Sequence, residues 1–108
     1  MINRSTQIRA LASEQRLEIL RLLRYPNRHF THQWSADPQA FGVCVTLIAG
    51  ALKIAQPTAS RHIDLLRQAG FITVQRYQKW AYCQRDEQAL SEYVRWLSAE
   101  MGIEPHGV

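Results

Sequence analysis

The sequence predicts a small, mainly α-helical domain that contains one β-hairpin. Three observations indicate this class. Ala59, Ile63 and Leu66 recur at helical spacing. The stretch 71–85 alternates around a short turn, as a hairpin does, and the stretch 87–101 is apolar over a broad side of a helix. The predicted order is two helices, a short strand, two helices, the hairpin and a last helix.

Length and composition predict one globular domain, residues 1–108. With 46% hydrophobic and 20% charged residues, the chain has an ordinary globular composition. No apolar run approaches about 18 residues and no signal peptide is recognised, so we expect no membrane partner. Two cysteines are too few for a disulfide scaffold. These observations together predict a cytoplasmic protein.

The net charge of +4 is unevenly distributed. Residues 61–85 contain five basic residues and one acidic residue, whereas residues 86–108 contain five acidic residues and one basic residue. A basic middle followed by an acidic end indicates one face that meets a polyanion and another that is turned away from it.

Capping and apolar spacing predict the first two helices. Residues 5–12 form a short helix. Ser13 is a suitable N-cap for a second helix over 14–24, whose leucines form a broad buried stripe. Pro26 ends that helix.

The segment 25–42 is long for a connection in a small domain. It contains three large aromatic residues, Phe30, Trp34 and Phe41, and two interpretations of them remain open. Either they cover the core from outside, or they wall a pocket for an apolar or aromatic effector.

A short strand near 43–45 leads into a helix over 46–52, and residues 53–55 form a turn before the next helix. On that next helix, hydrogen-bonding groups collect on the first two turns, where a helix entering a DNA groove would touch bases and phosphates. These groups are Gln56, Thr58, Ser60, Arg61 and His62. Gly70 supplies the left-handed residue that ends the helix.

The hairpin over 71–85 carries basic residues beside its tip. Arg76 and Lys79 suit contact with a nucleic-acid backbone or minor groove. Trp80 and Tyr82 on the return strand are expected to form a face matching the apolar residues of the first strand.

The run ALKIAQPTASRHIDLLRQAGF, residues 51–71, resembles the helix-turn-helix of the ArsR/SmtB family of winged-helix repressors. The likeness covers about residues 11–85, and the T-x-S-R-H core at 58–62 and Gly70 match the family pattern closely. Ala55 departs from it, because the family usually has an N-capping Ser there, and the missing cap costs about 1 kcal/mol. The resemblance implies a winged helix-turn-helix over 46–70 with the hairpin as its wing.

The resemblance also implies a function. The implied function is transcriptional repression by a homodimer that binds double-stranded DNA at an inverted repeat. The polar groups at 56–62 would read bases and phosphates, and Arg76 and Lys79 would hold the flanking backbone. A twofold dimer places its recognition helices about 34–36 Å apart, on successive major-groove faces.

The last helix, 87–101, with Asp86 as its cap, has more apolar surface than a small core can bury. We interpret it as a dimer interface, together with the first helix, as in proteins similar to ArsR. The interface residues predicted in this way are Ile8, Leu11, Leu90, Tyr93, Val94, Leu97 and Met101.

The family's metal ligands are largely missing. Where metal-sensing members carry C-x-C, this chain has Cys44 followed by Thr46, and one thiolate cannot form a soft-metal site alone. The last helix has no histidine before His106. His29 and His32 form an unconventional pair in a loop without partner cysteines. We therefore expect no metal and no cofactor.

Cys44 and Cys83 raise a separate hypothesis. In a winged helix, the strand before the first motif helix pairs with the second wing strand, so the two thiols could be neighbours. A disulfide between them would then act as a redox switch on DNA affinity. The alternative is that both are small buried apolar residues.

An enzyme is not predicted. The sequence lacks a Gly-rich phosphate loop, a nucleophile elbow and an H-E-x-x-H motif. The alternative function is a winged-helix module that binds a partner protein instead of DNA. A small-molecule effector held under the segment 25–42 is the further hypothesis kept open.

Overall fold

A computed structural model describes residues 2–30, 33 and 36–103. Within these residues the predicted order of elements is confirmed, with two short helical turns added before the first strand. The helices are α1 (Arg4–Leu11), α2 (Glu14–Arg24), α3 (Pro26–His29), α4 (Pro38–Phe41), α5 (Val45–Leu52), α6 (Gln56–Gln68) and α7 (Glu87–Met101). The strands are β1 (Val43–Cys44), β2 (Ile72–Tyr77) and β3 (Trp80–Arg85). None of the helices in the described ranges is both long and apolar enough to cross a membrane.

Side-chain caps fix where the helices begin. The Ser13 hydroxyl accepts a hydrogen bond from the Arg16 amide at 3.3 Å, and the Asp86 carboxylate accepts one from the Ala89 amide at 3.0 Å. Both predicted caps are therefore confirmed. Ala55 stands at the N-cap of α6 without a side-chain bond, as its methyl group requires.

The core lies between the helices and one face of the sheet. From α6 it takes Ala59, Ile63 and Leu66, the apolar stripe that the sequence predicts. Gly70 follows with a φ of +82°, which confirms its predicted left-handed conformation. Burial of this stripe holds one side of α6 against the domain and leaves its polar side exposed.

The hairpin β2–β3 is the wing, and β3 lies in the middle of a three-stranded antiparallel sheet in the order β1-β3-β2. Its register sets Val74 opposite Cys83, not opposite Tyr82. Because side chains alternate across a strand, Tyr82 and Trp80 lie on the other face from Val74. The prediction that Trp80 and Tyr82 share a face with the apolar residues of β2 is therefore wrong. The two-residue turn at 78–79 fixes a register that differs by one residue from the one this prediction requires.

The described part of the segment 25–42 packs on the core and on the wing. Phe30 is fully buried in the core, with 2% of its surface exposed. The Phe41 ring lies 6.3 Å from the ring of Tyr77 and 6.2 Å from that of Tyr82, on the wing face that the core does not cover. Trp34 lies outside the described residues. Phe30 therefore has no surface to offer an effector, and a pocket involving Trp34 stays a prediction.

Gln33 fastens this segment to β1. Its buried amide nitrogen donates to the carbonyl oxygens of Ala36 and Gly42 at 2.8 and 3.1 Å, and its carbonyl oxygen accepts from the Cys44 amide at 2.9 Å. One side chain thus satisfies three backbone groups, and its bonds to Gly42 and Cys44 are buried. No local sequence pattern predicts this role.

Gly42 is expected to be essential for the approach of this segment to β3. Its φ is +100°, and a Cβ built there would lie 2.6 Å from the Cys83 carbonyl oxygen. Gly42→Ala should lower the free energy of unfolding by at least about 1–3 kcal/mol, measured by urea denaturation. Gly50→Ala is the control, because a Cβ there meets nothing within 4 Å. It should raise stability by about 0.5–1 kcal/mol, and changes of the same sign in both variants would contradict this account.

Candidate nucleic-acid interface

A cleft of about 740 Å³ lies between α6 and the wing. Helix α6 lines one side with a stripe of polar residues, and the wing lines the other with basic and apolar residues. The α6 side consists of Gln56, Ser60, Ile63, Asp64 and Arg67; the wing side consists of Val74, Arg76, Lys79, Trp80 and Ala81; Cys44, Val45 and Thr46 lie between them.

The polar side of α6 is open to solvent. Gln56 and Ser60, one turn apart, line the cleft, while Thr58 and Arg61 point to other exposed sides of the same helix. The Thr46 hydroxyl donates to the Gln56 side-chain oxygen at 3.3 Å, which connects the start of α5 to the start of α6. The groups predicted to read DNA on these first two turns are thus accessible, apart from His62.

The tip of the wing presents its cations across the cleft from α6. Arg76 and Lys79 are both exposed and both line the cleft. Gln78 takes a φ of +57° in the tight turn, and the Lys79 ammonium lies 5.2 Å from the centre of the Trp80 ring. The cation–π contact holds the lysine stem along the wing while its charge stays in solvent.

Asp64 is a carboxylate inside this basic cleft that the sequence analysis did not single out. Its Oδ1 accepts from Arg67 Nε and Nη2 at 3.1 and 2.6 Å, and its Oδ2 accepts from the Gln68 amide at 2.7 Å. The hydrogen bond from Arg67 lowers the pKa of the Asp64 carboxyl, so it is charged at neutral pH. The spacing of three and four residues within one helix is the signal that could have revealed the group.

His62 faces α2 instead of the cleft. Its Nδ1 lies 2.9 Å from the Arg16 guanidinium and its Nε2 lies 2.7 Å from the side-chain oxygen of Gln15. Because arginine only donates, Nδ1 accepts and the ring is neutral, with its proton on Nε2 donated to Gln15. Arg16 also donates to the carbonyl oxygens of Arg9 and Ala10, so the group joins α1, α2 and α6. Both ring nitrogens are occupied within the chain, and we leave His62 out of the DNA contacts proposed below.

The residues predicted for the dimer interface divide into two groups. Ile8, Val94 and Met101 are 48%, 51% and 64% exposed. Leu11, Leu90 and Leu97 are half-buried at the edge of the core. Tyr93 is a correction: it is only 4% exposed and its ring packs edge-on against Phe71 at 5.2 Å, so it belongs to the core. Tyr93 is buried because it lies on the side of α7 that faces the core.

Helices α1 and α7 are held together through Arg4. Its guanidinium forms an ion pair with Glu92 and lies 4.6 Å from the centre of the Trp96 ring. The hydrogen bond from Arg4 lowers the pKa of the Glu92 carboxyl. Ile8 lies one turn after Arg4 on α1, whereas Val94 and Met101 lie on roughly the opposite side of α7 from Glu92, so the contact through Arg4 does not by itself bring these exposed apolar residues together.

The two cysteines are buried and unbonded. The predicted pairing of β1 with β3 is confirmed, but Val43 lies opposite Cys83 and Cys44 lies opposite Tyr82. The register therefore does not set the two thiols opposite each other, although Cys44 lies close enough for its charge to act on Cys83. Burial raises the pKa of the Cys83 thiol to about 12, so it is protonated and a poor nucleophile at neutral pH. The redox switch through Cys44 and Cys83 stays a prediction.

Among the residues that the structure describes, no three His, Cys, Asp or Glu side chains lie close enough to hold one metal ion. His32 and His106 lie outside those residues.

Comparison with known proteins identifies the family. A family model for bacterial regulatory proteins of the arsR family matches residues 43–74. YbzH, an uncharacterized HTH-type transcriptional regulator from Bacillus subtilis (strain 168), is 40% identical over 93 residues, which span 86% of this chain and 93% of YbzH. The chain belongs to the ArsR family.

Solved structures agree with this assignment at the level of the fold. The crystal structure of an ArsR family transcriptional regulator superposes with a TM-score of 0.67 at 18% identity, covering 91% of both chains. The solution structure of a homodimeric winged helix-turn-helix DNA-binding domain from Mycobacterium bovis, a possible ArsR-family regulator, gives a TM-score of 0.62 at 24% identity, covering 96% of this chain and 84% of that one.

The protein is therefore a transcriptional regulator with a winged helix-turn-helix DNA-binding domain, and the family is not one of enzymes. The resemblance seen in the sequence is confirmed. In a helix-turn-helix the second helix is the recognition helix, which here corresponds to α6, and the cleft lies between this helix and the wing.

The link from His62 to α2 predicts a dependence of stability on pH. Burial, and then the charges of Arg16 and Arg61, lower the pKa of His62 below its ordinary value of 6.5. Below pH 6.5 the unfolded chain takes up a proton that the folded chain resists, so the free energy of unfolding should fall as the pH drops. His62→Gln should remove this component, and the exposed His29→Gln should retain it. Urea denaturation between about pH 5 and 8 measures the difference, and identical pH profiles for all three proteins would contradict this assignment.

Proposed function

We propose that the chain represses transcription as a homodimer bound to an inverted-repeat operator. The observation that carries this proposal is the cleft itself: an exposed polar recognition helix faces an exposed basic wing tip across a groove. In this arrangement the start of α6 enters the major groove, and Arg76 and Lys79 reach the phosphates and minor groove beside it. Occupation of a promoter by the dimer would exclude the transcription machinery.

The contacts on α6 are assigned from exposure and position. Gln56, Thr58, Ser60 and Arg61 all lie on the first two turns and are exposed. Arg61 carries a fork of donors suited to the acceptors of guanine, whereas the short hydroxyls suit phosphates and base edges at close approach. Arg61 is thus the residue expected to contribute most to sequence preference.

The proposed dimer is supported by the exposed apolar residues of α1 and α7. Val94 and Met101 are separated by two helical turns on one side of α7, and more than half of each is exposed. Ile103 beyond the helix is 62% exposed. The homodimeric state of the Mycobacterium bovis domain with the same fold supports a dimer.

The effector is proposed to differ from the family's metals, since the C-x-C pattern is absent from 43–46. We also propose the domain arrangement expected from the sequence, with helix-turn-helix, wing and dimerisation helix in one domain. A cytoplasmic location follows from a DNA target inside the cell.

A selection experiment tests the proposed function. The protein is incubated with a pool of duplexes of randomised sequence, the bound fraction is amplified over several rounds, and the mass of the final complex is determined. We expect enrichment of an inverted repeat bound by two chains. A pool that stays random, or a complex of one chain on a single half-site, would contradict the proposal.

One arginine variant and one lysine variant should separate base reading from phosphate binding. Arg61→Ala should weaken binding to the selected duplex by about 1–3 kcal/mol while changing the affinity for random duplex much less. Lys79→Ala should weaken both affinities by similar factors and reduce the slope of log affinity against log salt by about 1. Fluorescence anisotropy titrations at several salt concentrations measure both quantities. Equal losses on both duplexes for Arg61→Ala would make it a phosphate contact.

A charge placed on the apolar side of α7 should dissociate the proposed dimer. Val94→Glu buries a carboxylate in the interface and is expected to shift the mass in solution from two chains to one, measured by sedimentation. Gln88→Glu adds the same charge at an exposed position of α7 about 120° around the helix from Val94 and should leave the mass unchanged. A dimer that persists in Val94→Glu would locate the interface elsewhere.

A further inference from the structure

The pair Asp64 and Arg67 gives the DNA cleft an unusual charge arrangement. The cleft is lined by three cations, Arg67, Arg76 and Lys79, and by one anion, Asp64. The two wing cations form no ion pair with a described residue, because the described salt bridges involve other side chains. Arg67, in contrast, is held along α6 by two hydrogen bonds to Asp64. Of the three cations that line the cleft, the one carried by α6 is therefore paired with a carboxylate within the free protein.

This arrangement opposes the binding of DNA in general. With α6 in the major groove and the wing beside it, one phosphate backbone passes over the cleft. A carboxylate in the cleft repels that backbone, and an arginine engaged with the carboxylate contributes little attraction. Affinity for DNA of any sequence is thus lower than the basic residues of the cleft would give alone.

The same carboxylate has a favourable partner on some sequences. In the major groove, the exocyclic amino groups of cytosine and adenine are donors, whereas the oxygens of guanine and thymine and all phosphates are acceptors. Asp64 lies two turns after Gln56 on the stripe of α6 that lines the cleft, so the carboxylate belongs to the surface that DNA in the cleft would meet. A donor there would offset the repulsion, and an acceptor would add to it.

We propose that Asp64 is a specificity residue that lowers the affinity of this protein for DNA in general, by repelling phosphate and by holding Arg67, more than it lowers the affinity for the operator. The operator would present an amino group of cytosine or adenine to it. This inference rests on the proposed function and adds a negative determinant to the positive contacts of Arg61.

The test compares Asp64→Asn with a matched control elsewhere in the chain. Glu18 on α2 pairs with Arg21 three residues later at 2.7 Å, as Asp64 pairs with Arg67 at 2.6 Å, but it does not line the cleft. Glu18→Gln therefore removes the same charge and the same kind of helix pair. Affinities are measured by anisotropy, with the duplex selected from the randomised pool and with a random duplex of equal length.

Asp64→Asn should raise the affinity for random duplex by about fivefold to tenfold and change that for the selected duplex by less than about twofold, so that discrimination falls. The salt slope on random duplex should steepen by about 0.9, because the freed Arg67 can neutralise one phosphate. In Asp64→Asn with Arg67→Ala the slope should return to the original value. Glu18→Gln should leave affinities and slopes nearly unchanged.

Several results would overturn the inference. If Asp64→Asn and Glu18→Gln shift both duplexes by the same factor, Asp64 acts only through net charge. If Asp64→Asn weakens both duplexes while its denaturation midpoint falls, the pair is structural. If adding Arg67→Ala to Asp64→Asn does not return the salt slope to its original value, Asp64 does not keep Arg67 from binding phosphate. If the unmodified protein selects no duplex and binds random DNA weakly and without salt dependence, the proposed function fails, and this inference fails with it.

Discussion

The antiparallel pairing of β1 with β3 is the constraint on which the rest of the interface depends. Val43 lies opposite Cys83, and two residues later the chain enters α5, the first helix of the helix-turn-helix. Backbone hydrogen bonds therefore join the wing to β1, and β1 leads directly into the helix-turn-helix. Without that pairing the cleft between α6 and the wing would have no fixed width.

The segment before β1 supports the same junction. Gln33 bonds to the backbone on both sides of it, Gly42 crosses β3 where a Cβ would not fit, and Phe41 covers the outer face of the wing beside Tyr82. The wing is thus packed on both faces, by the core on one and by this segment on the other. A hairpin of two strands alone would be only marginally stable, so this packing is what makes the wing a defined partner of α6.

The β1–β3 pairing and the segment before β1 also set the positions of the charges in the cleft. The wing places its cations at the tip, and α6 places polar groups and one carboxylate opposite them. In the proposed function, attraction to phosphate is concentrated at the wing, while the recognition helix carries the groups that depend on base identity. This division is expected for a protein that binds non-operator DNA weakly and its operator tightly.

The sequence predicted much of the fold because its signals are local. The spacing of Ala59, Ile63 and Leu66 and the caps Ser13 and Asp86 act within a few residues, and the structure confirms them. The face of the hairpin was predicted wrongly, because the register depends on turn geometry that side-chain alternation does not specify.

The partners of His62 could not be predicted either. Gln15 and Arg16 precede it by 47 and 46 residues and meet it only in the folded chain. Asp64 is a different case: its partners are neighbours in one helix, but its importance depends on the wing that faces it. Pairings across the fold are therefore what sequence patterns leave open.

The central claim is that α6 and the wing together form the DNA-binding surface. Amide chemical shifts of the isotope-labelled protein, recorded while the selected duplex is added, test it directly. We expect the largest shifts along 56–67 and 74–81, with small changes on α2 away from α6. Shifts concentrated on α2 and α3, with the wing unchanged, would contradict the account and assign another role to the cleft.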